Sequence, residues 1–142
     1  MKYLLDTDHI SILQWQSGPE FAALSARIQQ QQPSDLAFCL VSLHEQALGC
    51  HSFLARARTA AEVVRGYGML GRMLNAFAGA QVLPFDVAAS AVFSGLLAQR
   101  VRLTTMDLRI AAIALSRGLV VLTRNVRDFG RVPGLITEDW TV

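Results

Sequence analysis

Lysine is almost missing from this sequence: Lys2 is the only one, and the other twelve basic residues are arginines. Long hydrophobic runs are missing too. No apolar stretch reaches the ~18 residues that a membrane-spanning helix needs, so a membrane-embedded helix is excluded. The first residues, MKYLLDTDHIS, meet an acid at position 6, too early for the apolar core of a secretory signal, and a cytoplasmic protein is expected. Cysteine is scarce. Cys39 and Cys50 match no zinc-ligand spacing and each lies among apolar residues, which reads as two buried free thiols. There is no internal repeat, and the only biased tract is the short glutamine run 29–32.

What is present suffices for one ordinary domain over residues 1–142. Hydrophobic residues make up 52% of the chain, enough to build a core without disulfides or a structural metal. The net charge is only +2. Its arginine bias is the informative part, because the planar guanidinium grips two oxygens of a phosphate or carboxylate at once. That admits a nucleic-acid substrate; a GC-rich genome produces the same bias.

Apolar runs and helical periodicity alternate along the chain. Strands are expected at 2–6, 36–41, 81–85, 119–123 and, shortest, 134–137. Helices are expected at 9–15 (capped by Asp8 and ended by Gly18-Pro19), 20–31, from Ser42 onward, 51–79 with a break near Gly66 and Gly68, 86–99, and 106–117 ended by Gly118. Strands that are apolar throughout, separated by helices, predict an α/β fold with a parallel sheet covered on both faces. In such folds the functional crevice lies outside the carboxyl ends of the strands.

Acids collect at that edge. Asp6 ends the first strand, Glu45 lies one helical turn after the second, Asp107 opens the helix before 119–123, and Asp128 follows that strand with Asn125 close by. Carboxylates gathered together repel one another unless a cation neutralises them, and Mg²⁺ is suited to a few carboxylates plus waters and phosphate. Each acid also has a structural reading. Asp6 can cap the next turn, Ser42 and Glu45 form a capping-box pattern, Asp107 suits a helix N-terminus, and Asp128 can be an ordinary turn acid. Spacing alone therefore leads to an α/β domain with a candidate acidic metal site.

Five segments carry a more specific signal: LLDTDHIS at 4–11, VSLHEQALG at 41–49, VLPFDVAA at 82–89, TTMDLRIAAIALSRGLVVLTRN at 104–125 and DFGRVPGLITEDW at 128–140. In order and spacing they resemble the PIN-domain ribonucleases, in particular the VapC-like toxins of type II toxin–antitoxin pairs. The resemblance implies a three-layer α/β/α sandwich around a parallel sheet. It implies an endoribonuclease that uses Mg²⁺ or Mn²⁺, forms a homodimer and is held by a cognate antitoxin. Its catalytic, metal-binding acids fall on Asp6, Glu45 and Asp107; the fourth position falls on Asp128 or, as in other members, on the place of Asn125, with Asp128 chosen here and Thr7, Thr123 and Asn125 in support. Asp8 departs from the family's usual Asn or Ser and adds a negative charge, and the stretch 101–106 lacks the usual Gly-Ile-type turn. Arg102, Arg109, Arg124 and Arg127 flank these acids and are candidates for holding RNA phosphates.

Two other readings stand beside this one. One is a PIN-like module without catalysis that binds RNA or protein. The other is an aspartyl-phosphate phosphatase, since Asp6-Thr7-Asp8 after an apolar strand resembles the haloacid-dehalogenase nucleophile motif; the absence of any lysine after residue 2 speaks against it.

Overall fold

The protein is described by a computed structural model of residues 1–142. Five short strands form its centre: β1 (Tyr3–Leu5), β2 (Leu36–Cys39), β3 (Val82–Leu83), β4 (Val120–Leu122) and β5 (Thr137–Glu138). All pair in parallel, in the order β3-β2-β1-β4-β5. Seven helices surround them: α1 (Thr7–Trp15), α2 (Gly18–Gln29), α3 (Leu40–Arg56), α4 (Ala60–Ala78), α5 (Val87–Ala98), α6 (Thr105–Arg117) and the single turn α7 (Val126–Phe129).

Successive strand residues face opposite sides, and β1 shows the consequence. Leu4 enters a core with Ile110, Ile113 and Phe129, whereas its neighbour Leu5 enters a second core with Ile10, Leu24, Phe77 and Trp140. Val121 and Leu122 of β4 divide in the same way. With both faces buried, no position on the central strands is left for a polar residue, which explains the unbroken apolar runs. The expected three-layer α/β/α sandwich is thus realised. Both cysteines are buried and free, as expected.

Several boundaries differ from the sequence reading. Helix α1 starts directly after the strand, with Asp6 and not Asp8 as its N-cap, and it ends at Gln16, whose φ is 53°. Gly18-Pro19 opens α2 instead of ending α1, because proline is favoured in a first helical turn. Strand 36–41 stops at Cys39, so Ser42 lies inside α3 and no capping box forms. The long helical region breaks at 57–59, where Thr59 caps α4, and not at the glycines. Gly66 sits within α4 because the helices cross closely there: a Cβ would lie 2.4 Å from Leu54 Cδ2. The last strand is displaced to Thr137–Glu138, and the stretch holding Asp128 is the short helix α7, not a turn.

Candidate active site

Parallel pairing of β2, β1 and β4 brings three carboxyl ends side by side. Asp6 follows β1 at once; it is 5% exposed. Its Oδ1 accepts the main-chain N–H of Thr7 at 2.8 Å, and its Oδ2 accepts the Thr123 hydroxyl at 2.8 Å. Asp6 therefore caps α1 and also faces the site. Glu45 arrives on the second turn of α3, where its Oε1 accepts from the Thr7 hydroxyl at 2.9 Å. That hydroxyl also lies 3.0 Å from Ser42 Oγ. A carboxylate can only accept, so the single Thr7 proton goes to Glu45 and Ser42 donates to Thr7. Asp107 stands in the first turn of α6, whose N-cap, the Thr104 hydroxyl, accepts the Asp107 main-chain N–H at 3.2 Å.

Asp6, Glu45 and Asp107 each offer a carboxylate oxygen, and these oxygens lie within 4.8 Å of one another. No nitrogen of Lys, Arg, His or the N-terminus comes within 4.0 Å of any of the three; every ion pair in the molecule involves other acids. The titrations reflect this. Burial, then the charge of Asp8, raises the Asp6 carboxyl to about 7, although Thr123 and Thr7 hydrogen bonds oppose the shift. Burial also raises Glu45, helped by Asp107 and Asp8, and raises Asp107, helped by Asp128 and Asp8. An uncompensated group of hard oxygen donors is what a divalent cation such as Mg²⁺ or Mn²⁺ would satisfy.

Asp128 lies apart from this trio. Its Oδ2 accepts from Asn125 Nδ2 at 3.1 Å, and its Oδ1 is 3.4 Å from Arg131 Nη2. It lines one side of a cleft with Asp107, Arg102 and Arg131. Thr123 is buried and bridges two elements: its hydroxyl donates to Asp6 and accepts the Asn125 main-chain N–H at 2.9 Å. Arg124 and Arg127 are exposed beside the site, while Arg109 lies over the Phe93 ring, 5.8 Å from its centroid, and lines a separate pocket with His44. Sequence reasoning missed Arg131 and the real partner of Ser42. The i,i+3 spacing of Asp128 and Arg131 was a usable signal for the first; the second depends on a contact 35 residues away.

No protein-family model matches the chain. Individual proteins do. The tRNA(fMet)-specific endonuclease VapC of Salmonella typhimurium is 32% identical over 144 residues, spanning 99% of this chain and 98% of the relative. The VapC ribonuclease Y4jK of Sinorhizobium fredii is 34% identical over 141 residues, spanning 96% of each. Among solved structures, the DNA-bound VapBC of Salmonella typhimurium superimposes with a TM-score of 0.74 at 25% identity, covering 99% of this chain and 98% of that one. FitAcB of Neisseria gonorrhoeae, at 24% identity and a TM-score of 0.71, shares the fold. Identity of this level along the full length, on the same fold and with the acids converging at one sheet edge, means that the chain belongs to the VapC ribonuclease family.

Proposed function

We propose that the protein is the toxin of a VapBC-type pair and cleaves RNA phosphodiester bonds with a divalent cation, Mg²⁺ or Mn²⁺, held by Asp6, Glu45 and Asp107. The observation that carries this reading is the convergence of their carboxylate oxygens within 4.8 Å with no protein cation among them. A bound divalent ion would supply a Lewis acid for the scissile phosphate and an activated water. The chain's own residues do the rest. Thr123 and the Thr7 N–H fix the two oxygens of Asp6, and the Thr7 hydroxyl fixes Glu45. Asp128, which lines the same cleft as Asp107, would add negative charge beside a bound cation and seats Arg131. Arg102, Arg124 and Arg127, exposed around the acids, hold flanking phosphates; Arg109, turned toward Phe93, contributes less.

The relatives named tRNA(fMet)-specific make initiator tRNA the first substrate to try. The solved VapBC complexes support a cognate antitoxin as partner, and a homodimer is the assembly expected of the toxin from the family resemblance. A groove between α1, α3 and α4, lined by Gln14, Trp15, Met69 and Met73, suits an amphipathic antitoxin segment. No helix is long and apolar enough to cross a membrane, and a toxin acting on cellular RNA works in the cytoplasm.

The test is cleavage of initiator tRNA and total RNA with Mg²⁺, with Mn²⁺ and with EDTA. Cleavage that needs the cation and is lost in Asp6→Asn is expected. Cleavage indifferent to EDTA, or no cleavage of any RNA, would overturn the reading.

A further inference from the structure

His9 is fully buried and its ring lies between the acidic site and the C-terminal segment. The main-chain N–H of Trp140 donates to its Nε2 at 3.2 Å. A nitrogen that accepts there carries no proton, so the ring proton sits on Nδ1, 2.8 Å from Asp8 Oδ1. The other oxygen, Asp8 Oδ2, accepts the main-chain N–H of Arg124 at 3.0 Å.

This row has a polarity set from both ends. Trp140 and Arg124 contribute main-chain N–H groups, which only donate and which the fold holds in place. Between them the imidazole offers one acceptor and one donor. Residue 8 must therefore accept on both sides, and a carboxylate does so. Asparagine would turn an NH₂ group toward either the His9 proton or the Arg124 N–H. The sequence departure at Asp8 thus has a physical partner in His9.

We infer that His9 is a positioning residue for the active site. Oriented by the Trp140 N–H, it holds the Asp8 carboxylate on the Arg124 N–H and so seats the 123–125 turn, whose Thr123 hydroxyl donates to Asp6. The C-terminal segment thereby takes part in building the site through a contact that spans 131 residues of the chain. The inference rests on the proposed function only in treating Asp6 as part of the site.

Nitrogen-15 NMR of the metal-free protein reads the tautomer, and amide exchange reads the Arg124 N–H. A neutral His9 protonated on Nδ1 and a protected Arg124 amide are expected, with protection lost in Asp8→Asn. For initiator tRNA cleavage in Mg²⁺, Asp8→Asn should lower kcat at least tenfold with KM changed less than threefold. Asn at position 9 replaces the Nδ1 donor and Gln the Nε2 acceptor. His9→Asn should therefore keep kcat within threefold although its Tm falls, and His9→Gln should lose kcat tenfold although it keeps more of its Tm. A proton on Nε2, an exposed Arg124 amide, or kcat that simply follows Tm across both variants would overturn the inference. If the wild-type protein cleaves no RNA, the nuclease reading fails, and the NMR observations still decide the role of His9.

Discussion

Two sets of acids lie at the same edge of the sheet, and they differ in whether each acid is held singly by its own partners or crowded against other acids. Asp128, Asp8 and Asp139 are each answered from within the protein: by Arg131 and Asn125, by His9 and the Arg124 N–H, and by the Thr141 hydroxyl and N–H. Asp6, Glu45 and Asp107 are closer together and have no cation. Hydrogen bonds from Thr7 and Thr123 orient them without cancelling their charge. Of the first set, Asp8 and Asp139 are scaffolding, while Asp128 also borders the cleft beside Asp107. The second is held in an unfavourable state, which folded proteins retain where a ligand relieves it.

The sharpest way to break this contrast is to remove a charge from the second set. Asp6→Asn or Asp107→Asn should reduce metal-dependent RNA cleavage by on the order of 10³-fold or more, since each removes a proposed ligand. The metal-free Tm should stay the same or rise, because repulsion is relieved. A variant that retains activity, or loses it only by unfolding, would place these acids with the scaffolding.

Next in size is the pH dependence of stability without metal. The Asp6 carboxyl is raised to about 7 by burial and then by Asp8. The folded state therefore holds its proton more tightly than the unfolded chain does. Stability should fall as pH rises from about 4, by on the order of a few kcal/mol, and level off above about pH 7. Glu45 and Asp107 shift in the same direction. Denaturant melts between pH 5 and 8 check this, and saturating Mn²⁺ should flatten or reverse the trend. A metal-free stability that climbs with pH would mean the cluster is compensated after all.

A smaller effect separates Asp128 from the trio. In calorimetric titration, Asp128→Ala should weaken Mn²⁺ binding by about tenfold, a worth of roughly 1.4 kcal/mol, and by less than Asp107→Ala does. Asn125→Ala should weaken it least, since its amide reaches the site through Asp128. An Asn125 effect above that of Asp128 would move the fourth position to the amide. Smallest of all is Arg131→Ala. The exposed Arg131–Asp128 pair contributes under about 1 kcal/mol to stability. KM for RNA should rise a few-fold at low salt, and the difference should shrink as salt is added.

Local signals made much of this molecule legible. Unbroken apolar runs announced a sheet buried on both faces, and Leu4-Leu5 before Asp6 showed where the first strand ends and the site begins. Gly118, with φ 66°, ends α6 where expected, because the left-handed cap favours glycine. Less was legible where two local signals competed. Ser42 and Glu45 carry the pattern of a capping box, yet α3 starts two residues before Ser42 and both side chains turn to Thr7 instead. Gly66 reads as a break, but it is there because Leu54 of α3 comes too close for a Cβ.

The sequence by itself determined the periodicity, the layer order that follows from it, and the residue types available at the strand ends, because these depend on neighbours a few positions apart. Only the tertiary structure decided which acids meet. The order β2-β1-β4 joins Asp6 to Thr123 across 117 residues and Thr7 to Glu45 across 38, while one helical turn is enough to give Asp128 to Arg131. The tautomer of His9 belongs to the same class. It is set by a main-chain N–H 131 residues away, and a hydrogen bond between groups so distant in the chain has no local signature.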